Sequence, residues 1–99
     1  MNNIKVWMLI SGEEIIGEHF NNFADHVEVK APAIILMQQT EKGIQMGMMP
    51  SMPYAEGNIK IFRHAIAKEA TPSMKMINEY NRLYGSGIEI APASALATL

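Results

Sequence analysis

Arg63 and His64 stand side by side and form the most suggestive chemical pair in this 99-residue chain. A guanidinium beside an imidazole can hold a phosphate or stack on a nucleobase. The plain alternative is an exposed pair on a rim, making a surface salt bridge or nothing, and the residues alone leave both readings open. Phe23 and Tyr54 fall in loops and could supply stacking surfaces. A loop aromatic more commonly packs over the end of a fold, and Trp7, in the middle of an apolar run, reads as core.

Other chemistries find less support. His19, His26 and His64 lack the close spacing, with carboxylate or thiolate companions, that a zinc site needs. Met46, Met48, Met49 and Met52 carry soft thioethers that could hold Cu(I). Methionines more often fill irregular gaps or line adaptable interfaces, and Pro50 and Pro53 disrupt a simple core strand here. A protein interface on this segment is therefore the expectation. Glu13 and Glu14 are adjacent on a turn, where strand alternation would splay them apart. There is no cysteine, no Ser/His/Asp set and no glycine-rich phosphate loop. The expectation is a protein that is not an enzyme and uses no cofactor or metal.

The bulk numbers narrow the classes further. Ninety-nine residues suit one domain with a small core, and self-association is one way to supplement it. A formal net charge of −2 argues against a surface that binds phosphate everywhere, though not against a local basic patch. The absence of cysteine fits a cytoplasmic, intracellular protein. The run Ile4–Ile10 is too short for the apolar segment of a signal peptide. No stretch approaches the roughly 20 apolar residues that span a bilayer, so no membrane partner is expected.

The elements that must position these residues are mostly strands. Residues 4–10 alternate Ile4, Val6, Met8 and Ile10 with Lys5, Trp7 and Leu9, so both faces of that strand should be buried. Ser11-Gly12-Glu13 supplies a hairpin turn, and Glu14 to Phe20 returns as a second strand with a bend or bulge at Gly17. After a loop at 21–25 comes a long strand. Val27, Val29, Ala31, Ala33, Ile35 and Met37 share one face in an unbroken period of two, and Pro32 calls for a strong bend. Thr40–Gly43 is the next turn, 44–49 a fourth strand and 59–67 a fifth. Thr71-Pro72 reads as an N-cap followed by the first helical residue, and Gly85 as the terminator. The helix, 72–84, should dock through Met74, Ile77 and Tyr80. Ile88-Glu89-Ile90 could form a short strand. The expected domain covers 1–90, followed by a loose tail over 91–99.

Strand, glycine turn and strand with a central glycine, here Ile10-Ser11-Gly12-Glu13-Glu14-Ile15-Ile16-Gly17-Glu18, resemble the first motif of Sm-like (LSm) proteins. Asp25-His26-Val27-Glu28-Val29 stands where that family has an aspartate-bearing loop before its long bent strand. Ile61-Phe62-Arg63-His64-Ala65-Ile66 is similar to the family's hydrophobic–Arg–Gly step into the last strand. Three features depart from the pattern. The loop asparagine is missing, His64 replaces the glycine, and the helix follows the barrel rather than preceding it. The layout also looks like the short Sm-like proteins of tailed phages.

The resemblance implies a five-stranded, strongly bent small barrel with one C-terminal helix. It further implies a homo-oligomeric ring closed through the edge strands 44–49 and 59–67, binding single-stranded RNA, or DNA, through loops around the pore. Asp25 and His26 from one loop would meet Arg63 and His64 from the other, with Lys30 as a further contact and Phe23 stacking. The alternative function is a structural or adaptor homo-oligomer, phage-related or not, that binds protein instead; its motives are the net negative charge and the Met-rich segment. Alternative folds are an open sheet capped by the helix, or an OB-like barrel.

Overall fold

A computed structural model of the chain describes residues 3–84. These residues are mainly β, with six strands in one antiparallel sheet followed by one helix. The strands are β1 (Ile4–Leu9), β2 (Glu14–Asn22), β3 (His26–Thr40), β4 (Gly43–Pro50), β5 (Ile59–Phe62) and β6 (Ile66–Ala70), and helix α1 spans Met74–Tyr84. The hydrogen-bonded order is β4-β3-β2-β1-β6, with β5 also on β3. β3 is long enough to take two partners in succession: β5 along His26–Val29 and β4 along Ala33–Thr40.

The sharpest local feature is at Gly17. Ile16 pairs with Ala33 and Glu18 with Lys30, so one residue of β2 faces two of β3. This is a β-bulge, which bends the strand that carries the extra residue. Glycine is required by the close approach. A Cβ on residue 17 would lie 2.5 Å from Val29 Cγ1 and 3.2 Å from Pro32 Cα. Across from it, Ala31 takes the left-handed φ of 49°, a conformation that non-glycine residues seldom adopt.

The bulge interrupts the alternation expected for β3. Val27 and Val29 are buried with Trp7, Ile15 and Ile61 on one face of the sheet. Ala31 is exposed, and Ala33 is buried on the other face with Ile4, Ile16 and Tyr80. An unbroken period of two is thus corrected to two half-strands of opposite facing, because an inserted residue flips every side chain after it.

Both faces of β1 are buried, as its sequence indicates: Ile4 and Val6 on the helix side, Trp7 and Leu9 on the other. Trp7 is fully enclosed, and its indole N–H donates to Glu69 Oε1 at 3.0 Å, pinning β1 to β6.

The helix starts later than the Thr71-Pro72 signal suggests. Ser73 is the working cap: its Oγ accepts from Met76 N at 3.3 Å and its carbonyl from Ile77 N at 3.0 Å. The two-residue shift turns Met74 outward, where it is 67% exposed, so the expected Met74 contact is replaced by Met76. Ile77 and Tyr80 dock as expected, joined by Tyr84. The Tyr80 hydroxyl donates to Ala31 O (2.6 Å) and lies 3.2 Å from Lys30 O, at the bulge. Burial, helped by the Glu18 carboxylate, pushes the Tyr80 phenol far above its ordinary pKa, so it stays a donor. The Tyr84 hydroxyl reaches Met48 O on β4 at 3.3 Å.

The expected fifth strand, 59–67, is two strands. A 3₁₀ turn at Arg63–Ala65 splits it into β5, which pairs with β3, and β6, which pairs with β1. Among the described residues the count is therefore six rather than five, and their hydrogen-bonded sheet is not a closed ring. Gly85 as helix terminator, the short strand at 88–90 and the tail from 91 lie outside the described residues.

Candidate functional site

The 3₁₀ turn that splits the last strands presents Arg63 and His64 to the loop between β2 and β3. Three hydrogen bonds join the two segments. Arg63 N donates to Asp25 O, Arg63 Nε to Phe23 O and Arg63 Nη2 to Asn22 Oδ1, each at 2.9 Å. The guanidinium holds one backbone carbonyl and one side-chain oxygen of the loop, and the Arg63 backbone N–H holds a second carbonyl, so the turn fixes the course of the loop. The guanidinium neither floats on a rim nor makes an ion pair among the described residues.

The clamp aligns a row of rings. Phe23 stacks on His26 with centroids 4.6 Å apart and planes 18° from parallel. His26 meets Phe62 at 5.7 Å, and Phe62 stacks on His64 at 6.1 Å and 27°. Phe23 and Phe62 remain 46% and 43% exposed. The imidazole of His26 is held between them, with Nδ1 2.7 Å from Asp25 Oδ1. That hydrogen bond holds the Asp25 carboxyl below its ordinary pKa against the opposing effect of desolvation, and the Lys60 charge acts in the same direction as the bond.

Five of the six residues expected at the site therefore come together: Phe23, Asp25, His26, Arg63 and His64. Lys30 stands apart, four residues along β3 and opposite Glu18. His19 joins the periphery by a different route. Its Nε2 lies 3.0 Å from Asn22 Oδ1, the oxygen that also receives Arg63. Among the described residues no three His, Asp or Glu side chains gather in a way that could hold a metal ion.

Sequence reasoning missed Phe62 and Asn22. Phe62 was legible in principle, since alternation along β5 buries Ile61 and turns Lys60 and Phe62 outward. Asn22 gave no signal, because its role depends on the loop's return path.

A different surface lies on the hairpin of β3 and β4. From Leu36 to Gly47 the two strands pair with each other beyond the reach of β2. Met37 and Ile44 there are 62% and 70% exposed on one face, and Leu36 and Met49 are exposed on the other. No helix among the described residues is long and apolar enough to cross a membrane. No family model matches the chain. A search of curated proteins finds no similar sequence.

Proposed function

We propose that this protein is an Sm-like, ring-forming subunit that binds single-stranded nucleic acid, RNA in preference to DNA, in a role in nucleic-acid processing. The observation that carries the reading is the clamped row Phe23, His26, Phe62 and His64. Exposed rings held in fixed orientation are what unpaired bases stack on, and every base offers a π-face. Arg63 serves as the clamp, and its remaining nitrogen, with Lys60 nearby, favours a phosphate. The strand arrangement is compatible with a barrel. β5 sits on β3 and β6 on β1, and only the 3₁₀ turn separates them. Each of β5, β6 and β4 has one edge without a strand partner among the described residues. Pairing such edges between copies closes a ring and removes sites of uncontrolled association. In that ring every copy would present its aromatic row in the same orientation.

A short all-uridine RNA titrated by fluorescence anisotropy tests the reading, alongside the native mass by light scattering. The expected result is a closed multiple of the subunit mass and an affinity that falls as salt rises. Phe62→Ala and Arg63→Ala should each weaken binding about tenfold, the first by removing a stacking face and the second by freeing the loop. Affinity that ignores salt, or that survives both substitutions, would refute it.

The second reading, a structural or adaptor homo-oligomer that binds protein, is favoured by one observation: Met37 and Ile44, on one face of the β3–β4 hairpin, are both well exposed. A closed oligomer that shows no RNA binding at low salt would favour it.

A further inference from the structure

Beside the aromatic row, between β5 and the segment that follows β4, lies a cleft of about 470 Å³. It shares two residues with the row, Phe62 and His64. Its floor is apolar, formed by Ile15, Ile34 and Ile61, and its polar groups include Glu13 and Lys60. Among the described residues neither of those two side chains makes a hydrogen bond or ion pair with the protein. A cleft of this size, mostly apolar with a few polar groups at its edge, has the ordinary make-up of a small-ligand site. Tyr54, 80% exposed, stands at its lining as a further flat surface.

Resting on the nucleic-acid reading above, we propose that this cleft takes one guanine base from the bound strand, next to the bases stacked on the row. The apolar floor accepts the flat faces of a base. The polar groups decide which one. A carboxylate only accepts hydrogen bonds and has two oxygens, and guanine alone presents two adjacent donors, its ring N1–H and its amino group. Uracil offers one N–H flanked by two carbonyls, which repel the carboxylate of Glu13. Adenine and cytosine each offer an amino group without an adjacent ring N–H. The sharing of Phe62 and His64 gives the strand a continuous path from row to cleft.

The test compares three short RNAs by anisotropy at low salt: all uridine, the same strand with one central guanosine, and the same strand with inosine there. The guanosine strand should bind about tenfold tighter than the uridine strand, with inosine, which lacks the amino group, in between. Glu13→Gln should bring the guanosine strand down towards the uridine level. Because the inosine comparison uses the unaltered protein, the result does not hinge on the variant folding. Uridine and guanosine strands bound equally well would overturn the guanine cleft and leave the proposed function standing. No binding of any strand would overturn both.

Discussion

The two ends of β3 lead to two different kinds of surface. At its start, the Arg63 region is cross-braced by side-chain hydrogen bonds to the β2–β3 loop, and its rings are held in a row. At its far end, the β3–β4 hairpin is joined mainly through its backbone ladder and exposes Met37 and Ile44. The first surface is preorganised: its side chains have already lost their freedom before any ligand arrives, which lowers the cost of binding a rigid base. The second is adaptable, because methionine keeps many rotamers and can follow the shape of a partner. One strand serves both because the bulge at Gly17 and Ala31 lets its halves face opposite ways.

The largest expected effect comes from removing that division. In Gly17→Ala the new methyl would overlap Val29 Cγ1, which is β-branched and fully buried, and would crowd the backbone at Pro32. Neither neighbour can swing aside at low cost. Stability should fall by about 2 kcal/mol, seen as a lower midpoint in urea. A midpoint within error of the unaltered protein would mean that the bend does not depend on the close approach.

Tyr80→Phe sharpens the comparison by acting on one side of it. The ring still fills its place against Ile4 and Ile16, but the hydroxyl that bonds Ala31 O is lost. The expected cost is about 1–2 kcal/mol, since the carbonyl at the bulge is left without this donor. Backbone amide exchange should quicken on α1 and around residues 30–34 while the amides near Arg63 keep their protection. Faster exchange spread evenly over both ends of β3 would show that the two surfaces are not independently held.

Much of this arrangement was legible in the residues. The burial of both faces of β1, the hairpins at Gly12 and Gly43, the bulge at Gly17 and a C-terminal helix follow from alternation and glycine placement. The grouping of Asp25 and His26 with Arg63 and His64 was expected from the Sm-like resemblance, and the structure brings these residues together. What could not be read were features that depend on distant partners. The switch of facing in β3 arises because one residue of β2 must oppose two of β3, a count set by strand pairing. The break at Arg63–Ala65 occurs where the chain leaves β3 for β1, and Ile61 to Ile66 look like one continuous strand until both partners are known. The later helix start turns on Ser73, which caps as well as Thr71 does and sits where Pro72, itself buried, can precede the helix.

The smallest effect separates the two surfaces by acidity. The hydrogen bond from His26 lowers the Asp25 carboxyl in the folded protein, and the carboxyl has its ordinary pKa when the chain unfolds. A lowered folded value means that the contribution to stability is complete above the unfolded pKa, about 3.9, and is lost as pH falls through the folded value. Asp25 is exposed, so the gain is small and screened by solvent. Carboxyl carbon shifts followed by NMR should place the Asp25 midpoint below the ordinary aspartate value. The row around His26 should also loosen at acid pH before the β3–β4 hairpin does, because Glu41 is the only carboxylate in the hairpin and no hydrogen bond or ion pair ties it to the described residues. An Asp25 midpoint at or above the ordinary value would show that the contact with His26 does not persist in solution, and would remove one of the braces that set the aromatic row apart from the hairpin.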